Sequence, residues 1–512
     1  MTHESKIFAL FVLLLLGGCM VGPDFERPDA PRLDSWSSGA NLPIDHKTGF
    51  TTRSAESAPW WHVFNDETLN ALIADAYRQN MSLQAAGVRV YQARAALGIA
   101  KGELFPQDQS LSAGQESIRF STRDPFIRDL ERAGLVNDQF TRASVGFDAG
   151  WEIDIWGKIR RNVQSSNAEL NAEIASYDDA LVTLTGDVAA TYTEVRELQL
   201  LITIARRNAA LQRKSLNLTR LRLENGAATR LDFDEATVLL NNTLALIPSY
   251  EADLTQALNA LSLLLGEPPG DMKERLGKLS RLTRIPAEVA IGVPADLLRR
   301  RPDIRYAEYV AAAQSAQIGV ATADLYPAFT ITGAIGVSAD NFANLFDNGA
   351  VRGFINPGFS WNFLNYGRIR NNVRVQDAKY EEALLNYKET VLSAYSEVEN
   401  ALVGFLRSKQ EAALLARSVR AGRSAVAEVL DQYQEGTAEY DRVINAQRSL
   451  LRAEQRLIAA QANTLTSLVA VYKAIGGGWA PENVKGLISE DVRRRMSERT
   501  NWGTLLEPPG VK

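Results

Sequence analysis

The sequence predicts an α+β membrane protein, a tandem-duplicated protomer with four β-strands for a transmembrane β-barrel and long helices for an α-barrel. Three observations carry this. A thirteen-residue pattern beginning at Trp151 returns at Trp361. Two proline-free stretches, Lys158–Glu224 and Arg368–Gln434, keep helical periodicity throughout. Segments of about ten residues before each pattern alternate apolar and polar side chains, as barrel walls do.

Composition narrows the functional classes. The 512 residues are 46% hydrophobic and 23% charged, with 35 Gly and 18 Pro, which excludes wholesale disorder and collagen-like structure. A net charge of −5 argues against nucleic-acid binding through a basic field. One cysteine excludes a disulfide framework and a CxxC metal or redox site. The three histidines, His3, His46 and His62, have no Cys or His partner at ligand spacing. Neither an enzyme nor a metal or other cofactor is expected.

The first element is a targeting segment. Ile7–Leu16 is an apolar run behind Lys6, too short for a membrane helix of about 20 residues and suited to a signal peptide. It leads into Leu16-Gly17-Gly18-Cys19, which resembles a bacterial lipobox, so Cys19 is the expected lipidation site. Met20 follows, where Asp would suggest inner-membrane retention, so the outer membrane is the expected address.

The repeat orders the remainder. Trp151-Glu152-Ile153-Asp154-Ile155-Trp156-Gly157-Lys158 aligns with Trp361-Asn362-Phe363-Leu364-Asn365-Tyr366-Gly367-Arg368 at an offset of 210. Leu104-Phe105-Pro106 matches Leu325-Tyr326-Pro327 at 221, so the copies differ in loop length within the strand region. After each Gly, apolar residues recur at equivalent positions, from Ile159 to Val195 and from Ile369 to Phe405. Their spacings of three, four and seven define one packing face of a helix. At 1.5 Å per residue each run extends about 100 Å. The runs break at Gly226 and Gly436, read as tips of helical hairpins. Pro248 is expected to kink the first returning helix. Shorter helices are expected around Asp66–Glu103 and Asp303–Leu325.

Four strands complete the pattern. Ala143, Val145, Phe147, Ala149, Trp151, Ile153 and Ile155 face one way. Phe329, Ile331, Gly333, Ile335 and Val337 form a second apolar stripe, and Gly353, Ile355, Pro357, Phe359, Trp361 and Phe363 a third. The fourth strand, near Gln109–Arg119, rests on Leu111 and Ala113. A soluble sandwich shares such alternation; the lipobox and the strand-end aromatics Trp151, Trp156, Trp361 and Tyr366 decide for the barrel. Four strands cannot close a membrane barrel of about eight or more, and open edges cannot face lipid. Several chains must therefore combine, as a dimer, trimer or tetramer.

The chain resembles the TolC-family outer-membrane efflux channels, in the lipoprotein branch that includes OprM and the NodT-type proteins. The resemblance lies in Val21-Gly22-Pro23-Asp24-Phe25-Glu26-Arg27-Pro28, Trp60-Trp61, Phe64-Asn65-Asp66, Pro294-Ala295-Asp296-Leu297-Leu298-Arg299-Arg300-Arg301-Pro302-Asp303 and Gly476-Gly477-Gly478-Trp479. It implies a homotrimer with a 12-stranded barrel continuous with a periplasmic α-barrel. It also implies a periplasmic adaptor and an inner-membrane pump of the resistance-nodulation-division class, the channel itself being passive. The adaptor-docking tips then fall at Asn225-Gly226-Ala227 and Glu435-Gly436-Thr437. The family often carries Asp in a constriction segment matching Val443–Gln447, where this chain has Asn445. Asp441, one turn earlier on the same face, is the candidate replacement, with Asp232 and Asp234 at comparable positions in the first copy. A solvated helix end accommodates the same acids.

The expected organisation is a signal over 1–18, a lipidated linker over 19–65 and a first repeat over 66–290 with its β-hairpin at 107–156. A second repeat spans 291–478, with its hairpin at 328–366, and a C-terminal periplasmic segment covers 479–512. Lys158, Arg160, Arg161, Arg368, Arg370 and Arg374 follow the strands, where lipid headgroups or solvent would meet them. Arg299-Arg300-Arg301 reads as an exposed connector. The leading function is an exit duct for small molecules. Polypeptide export is a second transport reading, and a poreless lipid-anchored scaffold the alternative from another class, which would not need amphipathic strands.

Overall fold

Each copy of the repeat is a helix, a β-hairpin and a long helical hairpin, seen in a computed structural model of the protein. The structure describes residues 20–31, 59–121, 123–135, 139–270, 272–277, 300–477 and 486–507, with 33, 36, 50, 51, 137, 282, 285, 289 and 290. Cys19, the signal run, His3, His46, Pro294–Arg299 and Gly478-Trp479 lie outside the described residues.

In copy one, α1 (Glu67–Gln79) and α2 (Met81–Gly102) precede β1 (Asp108–Arg119), α3 (Pro125–Arg132) and β2 (Gln139–Ile153). The long helices α4 (Lys158–Glu224) and α5 (Arg230–Leu264) and the short α6 (Met272–Leu276) follow. Copy two runs α7 (Pro302–Ala323), β3 (Ala328–Ala339), β4 (Val351–Ser360), α8 (Arg368–Glu435) and α9 (Tyr440–Ala474), and α10 (Glu490–Arg499) ends the chain.

Three details depart from the sequence reading. The expected Asp66–Glu103 helix is two helices, because Asn80 supplies end groups to both. Its backbone N–H bonds Ala76 O at 2.9 Å, and its side chain accepts from Leu83 N at 2.8 Å, the local competition that makes Asn a helix-end residue. The connection between β1 and β2 contains α3, which starts at Pro125 with Asp124 capping Phe126 N at 2.9 Å. The apolar stripes outrun their strands: β2 stops at Ile153 and β4 at Ser360, before Ile155, Trp361 and Phe363. Pro248 lies inside α5, where its ring leaves one helical hydrogen bond unmade.

The chain divides into two compact units. One comprises Met1–Pro28, Gln92–Ala172 and Glu308–Asn386 and holds the four-stranded sheet, ordered β1-β2-β3-β4 and antiparallel throughout. The other comprises Asp29–Tyr91, Glu173–Ala307 and Tyr387–Lys512. Its core repeats the duplication: Tyr177, Leu181, Val188, Tyr192 and Val195 are buried, as are their counterparts Tyr387, Val391, Val398, Leu402 and Phe405. Burying each such side chain contributes about 1.5–3 kcal/mol. In this unit α10 and its flanks bury Ile488, Met496 and Leu506 against Tyr91. Gly87 permits that approach, since a Cβ there would lie 1.9 Å from Leu487 O.

Candidate functional site

Strand register sorts the side chains of the sheet. Leu111, Phe147, Ile335 and Gly353 form one cross-strand row, and Ala113, Val145, Val337 and Val351 the next. Trp151, Ile331 and Pro357 continue the same apolar face. Residues directly opposite across a ladder share a face, so the other face carries Asp108, Gly150, Thr332 and Asn356, then Ser112, Gly146, Gly336 and Arg352. One surface suits hydrocarbon and the other water, as a barrel wall requires. Leu111 is 78%, Ile335 63% and Ile355 80% exposed, exposure that would be costly in water.

The strand near Gln109–Arg119 is present as β1, paired residue by residue with β2 from Asp108↔Gly150 to Arg119↔Gln139. Its own alternation is weak, since Gln109, Gln115 and Ser117 occupy its outer face; the neighbour supplies the register. The outermost strands, β1 and β4, each have one partner. Their free N–H and C=O groups cannot be left in lipid, and the proline-bearing edge, with Pro357, is where a sheet tolerates a missing donor. Among the described residues no helix is long and apolar enough to cross a membrane.

Aromatics mark one end of the sheet. The Trp156 indole N–H donates to Pro327 O at 2.8 Å, and that of Trp361 to Leu325 O at 3.0 Å. Trp156 also stacks on Tyr326 at 4.7 Å. Amphipathic rings with satisfied polar edges belong at a membrane–water boundary.

The hairpin tips are built by glycine. Gly226 (φ 71°) and Gly436 (φ 82°) are left-handed. Ala227 N bonds Arg222 O at 2.7 Å and Gly226 N bonds Leu223 O at 3.0 Å. Thr437 N bonds Gln432 O at 2.9 Å and Gly436 N bonds Tyr433 O at 3.2 Å. Both are Schellman turns, which satisfy the last helical carbonyls. The 210-residue offset reappears at the other helix ends, where Gly266 (φ 71°) and Gly476 (φ 72°) close the same motif. Asn225, Gly226, Ala227, Glu435, Gly436 and Thr437 are all exposed.

The tip acids have distinct surroundings. Asp232 completes a capping box with Thr229: Thr229 N donates to Asp232 Oδ2 at 2.8 Å, and Asp232 N donates to Thr229 Oγ1 at 3.1 Å. Asp234 pairs with Arg230 at 3.1 Å. Asp441 accepts from Asn445 Nδ2 at 3.0 Å, and both lie exposed on one face of α9. The two hairpins meet through Arg222, whose guanidinium lies 4.7 Å from the Tyr433 ring centroid and donates to Tyr433 O. Beneath, Ala236, Leu239, Tyr433, Tyr440, Val443 and Ile444 form one buried cluster. Burial there pushes the Tyr440 hydroxyl up to about 12.

Two arginine expectations need correction. Arg301 is no exposed connector: it is buried, donates to Asp303 Oδ2 at 2.6 Å and Glu397 Oε2 at 2.7 Å, and reaches Ala474 O at 2.8 Å. It thereby satisfies a terminal carbonyl of α9, while Pro302 and Asp303 start α7. A Cβ on Gly476 would sit 3.2 Å from Arg301 Cα, and one on Gly477 3.3 Å from Trp60 Cδ1. Trp60 stacks on Tyr472 at 5.1 Å, so the described glycines of that run make room for the tryptophan and arginine motifs. Arg161 likewise meets neither headgroup nor solvent, being 3% exposed. Lys158 and Arg160 pair with Asp324 and Asp154, while Arg368, Arg370 and Arg374 are exposed. His62 is exposed, edge-on to Trp61.

Comparison with known proteins matches this geometry. The family described as outer membrane efflux protein covers residues 72–267 and 293–477, two blocks that follow the two copies of the repeat. Nodulation protein T of Rhizobium leguminosarum bv. viciae is 31% identical over 482 residues, spanning 94% of this chain and 95% of that protein. The toluene efflux pump outer membrane protein TtgI of Pseudomonas putida is 30% identical, over 93% of this chain and 99% of that one. The solved outer-membrane channel OprN superposes with a TM-score of 0.82 at 31% identity, covering 90% of this chain and all of that one. The Campylobacter jejuni CmeC channel, at 22% identity and a TM-score of 0.81, shares the fold. A duplicated chain with a two-faced open sheet and glycine-turned helical hairpins thus meets relatives that match along nearly its whole length: it belongs to the outer membrane efflux protein family.

Proposed function

We propose that the protein is the passive exit duct of a tripartite efflux system, carrying small toxic or apolar molecules across the outer membrane. The carrying observation is the sheet, apolar on one face, polar on the other and open at both edges. A homotrimer closes twelve such strands into a barrel of permitted size. The long helical hairpins extend the duct into the periplasm, and a periplasmic adaptor and an inner-membrane pump of the resistance-nodulation-division class supply substrate and energy. Relatives named for toluene and solvent efflux support small-molecule cargo over polypeptides. A channel of this family does no chemistry on what it carries.

The exposed turns Asn225-Gly226-Ala227 and Glu435-Gly436-Thr437 are the adaptor-docking surface. Asp441, oriented by Asn445, is the constriction acid. Asp232 has a sufficient local role in its capping box and Asp234 in its pair with Arg230, which leaves Asp441 as the leading candidate. Removing the Asp441 carboxylate as Asp441→Ala raises single-channel conductance of the resting trimer in planar bilayers; unchanged conductance removes this role. Negative-stain images of the purified protein test the duct itself. Threefold cylinders with an extension of about 100 Å, the length of α4 and α8, are expected, and monomers or simple rods overturn it.

Cys19 carries the lipid. A Cys19→Ser protein takes up no palmitate label yet retains the barrel strands. Persistent label on that variant would place the acyl group elsewhere.

A further inference from the structure

The segment that follows the proposed acylation site, Met20–Pro28, packs within the unit that holds the sheet. Val21 N donates to Trp156 O at 3.0 Å, and Trp156 is the residue stacked on Tyr326 in the aromatic collar. The docked segment therefore meets the collar at Val21, two residues after the proposed acylation site.

A buried cation holds it there. Arg161 Nε donates to Val21 O at 3.1 Å and Nη2 to Gly22 O at 3.1 Å. Its Nη1 bonds Gln164 Oε1 at 3.0 Å and pairs with Asp24 at 2.9 Å. Asp24 is 89% exposed, so the two carbonyl contacts carry the positional information and the ion pair adds little. A planar guanidinium suits two adjacent acceptors because its donors are fixed in a fork. Burying such a charge is unfavourable unless its hydrogen bonds are made, which makes removal of the strap costly for Arg161.

Three glycines provide the slot. Gly22 is left-handed at φ 87°, and a Cβ there would lie 2.4 Å from Gly319 Cα. A Cβ on Gly319 would lie 2.8 Å from Arg161 Cδ, and one on Gly157 2.7 Å from Met20 Cγ. At the Gly22–Gly319 crossing backbone meets backbone with no room for a methyl group, and Arg27 closes the far end by pairing with Glu308 at 2.8 Å. A simple tether needs neither the buried arginine nor the cleared slot.

We propose that Arg161, with Gly22 and Gly319, forms a dock that fixes the lipidated N-terminus at the membrane boundary of the barrel. Arg161 is a positioning residue: it touches the strap and not the lipid, and it confines the acyl chains to one height on each protomer. This inference rests on the acylation of Cys19.

The test uses full-length trimers labelled in vivo with alkyne-palmitate, coupled to a fluorophore and purified in detergent. Chymotrypsin cleavage after Phe25 frees the labelled N-terminus from the folded channel band. Wild-type release is slow. In Arg161→Met, and independently in Gly22→Ala, it is at least about tenfold faster from trimers of normal heat stability, because strap opening no longer breaks charge-assisted bonds or a fitted backbone contact. Arg161→Lys, which keeps charge without the fork, falls between wild type and Arg161→Met. Equal release from wild type and Arg161→Met, with all proteins labelled, overturns the dock and leaves acylation standing. A wild-type protein without label overturns the acylation reading and the dock with it.

Discussion

An Ile335→Arg channel fails to accumulate as a trimer in the outer membrane, whereas a Thr332→Arg channel on the same strand assembles. Ile335 lies in the row of Leu111, Phe147 and Gly353 on the apolar face and is 63% exposed in the single chain. Thr332 is on the opposite face, aligned with Gly150 and Asn356, and Gly150 is itself opposite Asp108. Three residues apart on a strand means opposite sides of the sheet. Arginine near the middle of a barrel's lipid face costs about 2–4 kcal/mol, and a homotrimer incurs that cost three times. On the luminal side the new guanidinium stays in water, near an acid. Heat-modifiable trimer on gels of outer-membrane fractions measures both. Equal accumulation of the two variants would contradict the assignment of faces.

The second large effect separates assembly from function. Gly436→Val is expected to assemble and insert normally yet leave cells as sensitive to efflux substrates as a strain lacking the channel. Gly436 has φ 82°, where a side chain with Cβ costs about 1–2 kcal/mol and a β-branched one more. Space is not the obstacle: the nearest atom to a new Cβ is Arg222 Nη2 at 3.5 Å. The strain falls on the Schellman turn, whose two bonds orient Glu435 and Thr437, while the buried cluster around Tyr440 and Ile444 below it is untouched. Susceptibility in a deletion background, beside the trimer assay, measures it. Full resistance with a correctly assembled trimer would remove the tip turn from the docking surface.

Local signals in this sequence were strong. Beside the repeat at an offset of 210, the absence of proline from two long runs, the glycines at 226 and 436 and the alternation after Gln139 are all short-range patterns. Each depends only on how a few consecutive residues fill one helix face or one side of a strand. The long helices accordingly appear as α4 and α8 almost at the expected limits. The weaker signals failed where local chemistry was ambiguous. Asn80 fits inside a helical pattern as readily as at a break, and Arg301 beside a proline looks like a surface loop.

What the chain by itself determined was the duplication, the kind of each major element, and the need for more than one protomer. Tertiary structure alone decided which charges are structural. Arg161 reaches carbonyls at Val21 and Gly22, and Arg301 one at Ala474. It also decided the register of β1, the weakest of the expected strands, since its partner and not its own alternation places Leu111 beside Phe147. The physical reason is the same in both cases. Periodicity is written by neighbours in sequence, whereas the fate of a charge or a weakly patterned strand depends on which distant backbone comes to meet its hydrogen bonds.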